Sequence, residues 1–553
     1  MVAACSSSGE PAASDTTEGV ADDPAATPPP AAPPAVAAPP VVEAPPAAPA
    51  TAVPASRAEL TRWLEQVLDA AGRAAPGLTL GVLVVDEAGR EVVALAPDTP
   101  LIPASTLKQV TAAAALTTLG PGARLPTTVE ATAGITGDGT LDGDLLLLGS
   151  GDPTLVTEEY ARMVYPARPR TSLDAVADRL VELGLRRVTG QVRGAAPGFA
   201  EPTLPEGWPD RYLDSLDGRY PAGLTVDGGL VTRIELPEVD DGPEGEGSDG
   251  PAADPPDAPP DGDTRAAPDD PPTPINVLEQ LAALDSDQPP TVRTSLAIDP
   301  VQHAAAELTR LLRERGVEVI GSATSEPAEL PSTGRLVTAV SPSLADVLRF
   351  TVQRSDNHLA DALALVVART RTRDGSWAAV PRAFTQVLER FDVPAEGLVV
   401  ADGSGLSRAD RLTARTLTDL DRRMTDNPRF GATWRSLLSV AGGSGTLRDR
   451  YVGTVAEGRL LGKTGTLRDV TSLTGQIISA TTDPLAASTV GERRYHLTVL
   501  GNGVDGANRA VVRAVMDEVT LALTADLDGC SLARAGEDGP LGQPPVAVRC
   551  TSG

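Results

Sequence analysis

Residues 103–109 read PASTLKQ, and the apolar run Val110 to Leu116 follows them directly. The apolar residues recur at helical spacing, so we predict that Ser105 and Lys108 lie on one face of one helix. A serine hydroxyl becomes a strong nucleophile when a neighbouring base accepts its proton. A lysine can be that base once burial or a nearby cation lowers its pKa, whereas an arginine cannot. The stretch therefore predicts a nucleophilic serine beside a lysine base.

The use of lysine along the chain supports this interpretation. The 47 lysines and arginines include only two lysines, Lys108 and Lys463. Every other basic position is an arginine, which provides a plain positive charge. We infer that lysine is present only where the chemistry requires an amine. An S-x-x-K alone also arises by chance on a solvated helix turn, and the scarcity of lysine favours the functional interpretation.

Two further motifs complete a recognisable set. Lys463-Thr464-Gly465 precedes a predicted strand, Val470 to Ile478, and Ser355-Asp356-Asn357 lies on a predicted turn between two helices. S-x-x-K, S-D-N and K-T-G occur once each and in this order. This combination is typical of serine β-lactamases and penicillin-binding proteins.

Length and charge limit the classes of protein that this chain can represent. With 553 residues it is too long for one core, and we expect two to four domains. The net charge is −28 and there is no basic cluster, so we predict neither nucleic acid nor an anionic membrane surface as a partner. The sequence does not indicate an oligomeric state.

The histidines predict no metal site. His303, His358 and His496 are far apart, and none stands at a spacing typical of metal ligands. We interpret all three as surface or core residues. The sequence therefore predicts neither a metal ion nor a cofactor.

The cysteines bear on the cellular compartment. The stretch that ends at Cys5 resembles the end of a bacterial lipoprotein signal, which predicts a lipid anchor there; the alternative is an incidental cysteine in a disordered tail. A bond between Cys530 and Cys550 would close a loop of about 20 residues and stabilise the fold by about 3 kcal/mol in the chain-entropy model. Such a pair would indicate an extracytoplasmic protein, either secreted or attached to the cell envelope.

Composition and motif positions divide the chain into five predicted segments. An extended spacer is expected where alanine and proline dominate, and a disordered acidic loop is expected inside the central segment. The segments are a tether over 1–54, the first part of the catalytic domain over 55–120, inserted domains over 121–330 with the acidic loop at 237–274, the second part of the catalytic domain over 331–525, and a tail over 526–553.

The three motifs and the long insertion together resemble the D-alanyl-D-alanine carboxypeptidase/endopeptidase group of penicillin-binding proteins, of the low-molecular-mass class C or type-4 kind. The resemblance covers residues 56 to 525 and implies an α+β, penicilloyl-serine transferase fold. That fold has an antiparallel sheet flanked by helices, here with one or two inserted domains. Other stretches that match are Gly149–Leu155, Pro205–Trp208, Asp402–Arg408 and Gly501–Gly503.

The resemblance implies a role for each catalytic residue. Ser105 attacks the carbonyl between two D-alanines, Lys108 is the base, and Ser355 relays protons to the leaving amine. The oxyanion hole consists of the backbone N–H groups of Ser105 and Thr466. Asp356 is expected to be structural.

It also implies how the substrate, a peptidoglycan stem peptide, is bound. Asn357 holds the acyl-side amide, and Lys463 supplies positive charge near the terminal carboxylate. Thr464 and Thr466 hydrogen-bond that carboxylate, and Gly465 completes the motif. β-Lactam antibiotics are expected to acylate the same serine.

The sequence departs from the family pattern at two places. Family members often carry an acidic residue where 194–199 read GAAPGF, and an Asp where Ser444 stands. The first departure leaves open how the third residue of the stem peptide is recognised.

Two alternatives remain open. One is a serine β-lactamase, although 250 residues between Ser105 and Ser355 is a long separation for one and no E-x-x-L-N stretch lies between Ser355 and Lys463. The other is a penicillin-binding cell-wall protein with little turnover. The sequence does not indicate whether carboxypeptidase or endopeptidase activity dominates.

Overall fold

The protein's structure is a computed structural model that describes residues 57–164, 168–235, 291–325, 332–480, 492–533 and 547–550. The predicted tether over 1–54, Cys5 and the predicted acidic loop over 237–274 lie outside these ranges. None of the helices in the described ranges has both the length and the apolar character needed to cross a membrane.

Helices and strands alternate along the described chain. The twelve α-helices in the described ranges are α1 Arg57–Ala74, α2 Leu107–Leu119, α3 Glu158–Val164, α4 Leu173–Glu182, α5 Arg211–Asp214, α6 Pro300–Glu314, α7 Leu344–Arg354, α8 Asn357–Thr372, α9 Val380–Arg390, α10 Ala414–Thr425, α11 Gly431–Leu437 and α12 Gly506–Leu527. The twenty strands in those ranges are β1 Thr79–Asp86, β2 Glu91–Leu95, β3 Pro126–Ala131, β4 Thr140–Leu141, β5 Leu145–Gly149, β6 Leu155–Val156, β7 Thr171–Ser172, β8 Arg187–Val188, β9 Val192–Ala195, β10 Leu230–Glu235, β11 Thr291–Leu296, β12 Glu318–Val319, β13 Thr324–Ser325, β14 Gly334–Val340, β15 Ser439–Val440, β16 Leu460–Leu467, β17 Val470–Ile478, β18 Arg494–Asn502, β19 Cys530–Ala533 and β20 Ala547–Cys550.

The central sheet joins strands from both ends of the chain. Its order is β15-β16-β17-β18-β1-β2, and every neighbouring pair is antiparallel. β1 pairs with β18 from Thr79 opposite Asn502 to Asp86 opposite Tyr495. β17 is buried along its whole length, including its polar residues Ser472, Thr474 and Gln476. The predicted antiparallel sheet of an α+β fold is confirmed.

Helices cover both faces of this sheet. α1 and α12 pack on one face, where Leu64 and Val515 join sheet residues such as Val82 in one core. The other layer contains α2 and α7 to α11. Every residue of α2 from Leu107 to Leu116 is buried, because this helix lies in the middle of the layer. The chain segment that carries Ser105 is therefore fixed from all sides.

The inserted region forms its own mixed sheet. Its order is β13-β9-β5-β3-β14, and α4 and α6 contribute to its core. α6 is amphipathic, and its buried face contacts this sheet's core. The boundary that we placed at 330 is too early. β14, the edge strand that pairs with β3, extends the inserted sheet to Val340.

The C-terminal residues form a short antiparallel ribbon of β19 and β20. Cys530 lies opposite Cys550 in its register, and Cys530 is disulfide-bonded. Directly opposed residues of an antiparallel pair have Cα atoms about 4.5–5.5 Å apart, a separation that a disulfide can bridge. The bond between these two cysteines stays a prediction that the backbone register favours.

Candidate active site

Ser105 lies in a single 3-10 turn, Ala104–Thr106, that runs directly into α2. We expected one helix to carry both Ser105 and Lys108, but α2 begins only at Leu107. The residues before Leu107 form the 3-10 turn instead, and its first residue, Ala104, has a left-handed φ of 50°. Lys108 Nζ nevertheless donates a hydrogen bond of 3.0 Å to Ser105 Oγ. The turn and the first residues of α2 bring the two side chains into contact.

Lys108 is fully buried, and its ammonium group donates three hydrogen bonds. Besides Ser105 Oγ, the acceptors are Asn357 Oδ1 and the Ser404 carbonyl, each at 2.7 Å. Burial lowers the pKa of Lys108 to about 8, against an opposing effect of nearby carboxylates, of which Asp361 raises it most. A fraction of the amine is therefore neutral near physiological pH and able to accept a proton from Ser105.

The S-D-N segment forms the turn between α7 and α8. Ser355 ends α7 in the left-handed conformation, with a φ of 57°. Asp356 caps α8 by accepting a hydrogen bond from Leu359 N at 2.9 Å. Burial alone would raise the pKa of the Asp356 carboxyl, but the guanidinium groups of Arg168 and Arg219 lower it below its usual value. This cap directs the Asn357 side chain, the first of α8, toward Lys108.

The K-T-G segment lies in β16 and meets the S-D-N turn. Lys463 is fully buried, and its Nζ donates to Ser355 Oγ at 2.9 Å and to the Thr464 carbonyl at 2.7 Å. Thr464 Oγ1 donates to Thr446 Oγ1 at 2.7 Å. The structure thus brings the second lysine to the second serine, and it adds Thr446, which the sequence did not single out.

Gly465 allows β16 to pass close to the nucleophile's turn. A Cβ at this position would lie 2.2 Å from Ser472 Oγ and 3.0 Å from Ser105 N. Ser472 Oγ in turn donates to the Pro103 carbonyl at 2.7 Å, which ties β17 to the same turn. The next residue, Thr466, has an exposed side chain. The backbone of Ser105 therefore lies beside Gly465, the residue before Thr466.

The loop from Asp402 to Arg408 lies beside Lys108, because its Ser404 carbonyl accepts a hydrogen bond from Lys108 Nζ at 2.7 Å. The buried Asp402 carboxylate shapes the loop by accepting from Ser404 N at 3.0 Å, Gly405 N at 2.6 Å and Trp208 Nε1 at 2.8 Å. Gly405 has a φ of 84°, and a Cβ there would lie 2.0 Å from the Ala104 carbonyl. Only glycine fits this contact.

Asn502 anchors the segment that leads to Ser105. Its Oδ1 accepts from Ile102 N at 2.8 Å, and its Nδ2 donates to the Ile102 carbonyl at 3.0 Å. The side chain thereby pairs with the backbone as a neighbouring strand would. This contact gives a structural reason for the Gly-Asn-Gly stretch at 501–503.

The three histidines lie away from these contacts. His496 is buried with Nδ1 2.7 Å from Asp421 Oδ2, and His303 Nε2 lies 3.2 Å from the Leu230 carbonyl. His358 is buried in α8, and burial lowers its pKa to about 3. In the part of the chain that the structure describes, no cluster of histidine, cysteine or carboxylate side chains is arranged to hold a metal ion.

The model of the D-Ala-D-Ala carboxypeptidase 3 (S13) family matches residues 64–521. This span includes all three motifs and the sheet that brings them together.

The chain belongs to this family.

Relatives support the assignment over most of the S13 carboxypeptidase chain. It is 32% identical to the D-alanyl-D-alanine carboxypeptidase of Actinomadura sp. over 451 aligned residues. The alignment covers 77% of this chain and 80% of the relative. It is 30% identical to carboxypeptidase DacB of Mycolicibacterium smegmatis, over 72% of this chain and 73% of the relative. The predicted family and the predicted enzyme class, a D-Ala-D-Ala carboxypeptidase and hence a hydrolase, are confirmed.

Solved structures support the same fold. Penicillin-binding protein 4 (dacB) of Haemophilus influenzae superimposes with a TM-score of 0.61 and 19% identity, covering 82% of this chain and 99% of that one. The same protein in complex with a β-lactam gives a TM-score of 0.55 and 20% identity, over 79% and 93% of the two chains. The predicted penicilloyl-serine transferase fold of this S13 carboxypeptidase is confirmed.

Proposed function

We propose that this S13 carboxypeptidase hydrolyses the D-Ala-D-Ala bond of peptidoglycan stem peptides through an acyl-enzyme on Ser105, and that penicillins acylate the same serine. The observation that carries the proposal is the 3.0 Å hydrogen bond between Ser105 Oγ and the buried amine of Lys108. The β-lactam complex of a protein with this fold supports the second half of the proposal.

Acylation begins when Ser105 Oγ attacks the carbonyl between the two D-alanines and its proton passes to neutral Lys108. The N–H groups of Ser105 and Thr466 then stabilise the oxyanion of the tetrahedral intermediate, and such donors typically contribute about 3 kcal/mol each to lowering the barrier. Collapse of the intermediate breaks the C–N bond. Ser355 relays a proton to the departing amine of the terminal D-alanine, and water later hydrolyses the ester.

Substrate binding uses the edge of β16. β15 pairs with β16 only at Leu461 and Gly462 among the described residues, so the backbone from Lys463 onward is open to an extended peptide on that side. The ammonium of Lys463 attracts the terminal carboxylate, and Thr464 and Thr466 hydrogen-bond it. Asn357, already bound to Lys108, presents its amide to the acyl-side peptide group. Gly465 permits the close approach that places all of these groups around Ser105.

Peptidoglycan lies outside the cytoplasm, which supports an extracytoplasmic location for the protein. Cys5 is the proposed point of lipid attachment. In this setting cross-linked peptides are a second class of substrate, because the bond that an endopeptidase cuts is also made by a D-alanine carbonyl. Cys5→Ser tests the anchor. The variant should leave the membrane fraction, and unchanged partition would contradict lipid attachment at this residue.

The enzymatic proposal is tested by incubating the protein with a fluorescent penicillin, followed by intact mass and peptide mapping. We expect one persistent adduct on Ser105 and release of D-alanine from D-Ala-D-Ala peptides. Ser105→Ala should lose both, whereas Ser332→Ala, a control in the inserted region, should lose neither. Rapid loss of the adduct with hydrolysed antibiotic would indicate a β-lactamase. A stable adduct without peptide turnover would indicate a binding protein, and folded protein without any adduct would contradict the proposed site.

A further inference from the structure

An arginine of the inserted region lies against the turn that carries Asp356 and Asn357. Arg168 comes shortly before β7, and only 3% of its side chain is exposed. Its Nη1 lies 3.8 Å from Asp356 Oδ2, and its guanidinium lies 5.8 Å from the centroid of the Phe350 ring in α7. A buried guanidinium is costly without an opposing charge close by. The inserted region and the catalytic turn therefore share a largely buried ion pair.

The stretch Gly149–Leu155 supports Arg168 from the other side. Arg168 Nη2 donates to the Pro153 carbonyl at 3.3 Å. The buried Asp152 carboxyl accepts from Thr171 Oγ1 at 2.5 Å, which ties this stretch to β7, just beyond Arg168. The arginine is therefore held between a loop of the inserted region and the turn of the catalytic domain.

The charges around Arg168 favour its pairing with Asp356. Burial raises the pKa of Asp356 and also that of Asp152, the other carboxyl near Arg168. The pKa of Asp152 stays above its usual value, whereas Arg168, followed by Arg219, brings the pKa of Asp356 below it. His358 is buried beside the same groups, and because its pKa is lowered to about 3 it is neutral near pH 7. Asp356 is therefore the ionised carboxylate that compensates the buried guanidinium.

This ion pair constrains Asn357, the next residue of the chain. One oxygen of the Asp356 carboxylate caps α8 and the other faces Arg168, so the start of the helix is tied to the inserted region. The Asn357 side chain itself is bound at both ends. Its Oδ1 accepts from Lys108 Nζ at 2.7 Å, and its Nδ2 donates at 3.3 Å to the carbonyl of Asp217, which also belongs to the inserted region. Both the backbone and the amide of Asn357 are thus held by the insertion.

We propose that Arg168 is a positioning residue for acylation. Through Asp356 it holds Asn357 where the amide of Asn357 meets the acyl-side amide of the peptide or the penicillin. The inference rests on the proposed function, which assigns that contact to Asn357. It also gives the stretch Gly149–Leu155, which has no role in the proposed chemical steps, a function as the support of Arg168.

The test compares the acylation of Ser105 by benzylpenicillin with that by 6-aminopenicillanic acid, which has the same β-lactam nucleus but lacks the acyl-side amide. Both second-order rate constants are obtained from competition with a fluorescent penicillin. Their ratio measures what the acyl-side amide contributes. A loss of active protein, or a change in the basicity of Lys108, alters both rate constants alike and cancels in the ratio, so a merely structural role of Arg168 would leave the ratio unchanged.

Substitutions of Arg168 should change this ratio. Arg168→Met removes the charge but keeps an unbranched side chain, and we expect the ratio of benzylpenicillin to 6-aminopenicillanic acid to fall about threefold, as for one weakened hydrogen bond. Arg168→Lys keeps the charge and should restore part of the ratio. Arg187→Met is the matched control, because Arg187 lies in the same region and pairs with Glu318 at the surface. This variant should keep the wild-type ratio.

Asp356→Asn tests the ion pair from its other partner. The asparagine oxygen can still cap α8, so the substitution removes the charge and keeps the cap. We expect the same fall in the ratio as in Arg168→Met. The double variant should lose no more than either single variant, because both substitutions break one contact. Asp356→Asn and Arg168→Lys also decide the question if Arg168→Met does not fold.

Asn357→Ala is the reference and should lower the ratio at least as far as Arg168→Met. An unchanged ratio in both Arg168→Met and Asp356→Asn would overturn the inference and leave the proposed function standing. Losses that multiply in the double variant would also overturn it, as would an unchanged ratio in Asn357→Ala. Wild-type protein that penicillin does not acylate would instead contradict the proposed function itself.

Discussion

Lys108 and Lys463, the only lysines of the chain, have much in common. Each is fully buried, and each donates to one serine hydroxyl, Ser105 or Ser355, and to one backbone carbonyl. They differ in the element that carries them. Lys108 lies in a helix that is buried on all sides, whereas Lys463 lies in β16, where the strand's edge opens toward the cleft.

This difference indicates that the two lysines have different functions. The amine of Lys108 lies in the core beside the nucleophile and above the carboxylate of Asp361, an environment that adjusts its pKa. Lys463 lies where an anionic end of the substrate is expected, and there a fixed positive charge is enough. We therefore expect substitutions that keep the charge but cannot become neutral, such as lysine to arginine, to affect the two sites unequally.

The largest effect is expected from Lys108→Arg. Arginine keeps the charge but cannot accept the proton of Ser105, so acylation by fluorescent penicillin should slow by on the order of 10³-fold. The rate constant of acylation is the measurement, and an unchanged melting temperature is the control for folding. Acylation within tenfold of the wild-type rate would show that Lys108 is not the base.

A smaller loss is expected from Lys463→Arg. The charge stays, although the larger guanidinium must fit a fully buried site, so acylation should slow by only about tenfold. Lys463→Met removes the charge and should cost more, mostly as a higher KM for D-Ala-D-Ala peptides. If the arginine and methionine variants were equally impaired, charge would not be the role of this lysine.

The pH dependence of acylation should report the titration of Lys108. Because the pKa of Lys108 is lowered to about 8, its neutral form increases as pH rises, and the acylation rate should rise with a midpoint near pH 8. Asp361 raises that pKa in its ionised form, and burial and the neighbouring Asp402 in turn raise the pKa of Asp361 itself. To the extent that Asp361 is ionised, Asp361→Asn should move the rising limb to lower pH. Asp138→Asn, an exposed carboxylate in the inserted region, is the control. An unchanged midpoint of the rising limb in the Asp361→Asn variant would contradict the electrostatic coupling between Asp361 and Lys108.

The smallest effect is expected from Thr446→Val, which removes the hydroxyl that binds Thr464 Oγ1. One neutral hydrogen bond contributes about 0.5–1.5 kcal/mol, so the KM for the peptide should rise roughly two- to tenfold while kcat stays close to wild type. A fall in kcat with constant KM would mean that Thr446 acts on the chemical step.

Most side chains of the candidate site could be named from the sequence because they lie in short motifs. Ser105, Lys108, Ser355, Asn357 and Lys463 could all be named in advance, and the structure brings them into two connected clusters. The family and the fold class were predicted on the same basis, and both are confirmed.

What the sequence did not predict is mostly made by backbone atoms and long-range pairing. The Ser404 carbonyl binds Lys108, and a carbonyl has no signature in a sequence. Thr446 contacts Thr464 because a 3-10 turn at Gly445–Leu447 places Thr446 beside β16. The inserted sheet ends at Val340 because β14 pairs with a strand some two hundred residues earlier, which local periodicity cannot reveal.

The pairing of β1 with β18 has a consequence for the order of folding. Ile102, next to the nucleophile's turn, is held by Asn502, four hundred residues later in the chain. Contacts of such sequence separation form late, because closing a long loop costs entropy before the contact stabilises anything. A nascent chain therefore carries Ser105 and Lys108 long before it has the strand that fixes them. We therefore expect the contacts around Ser105 to form only when almost the whole polypeptide has been made.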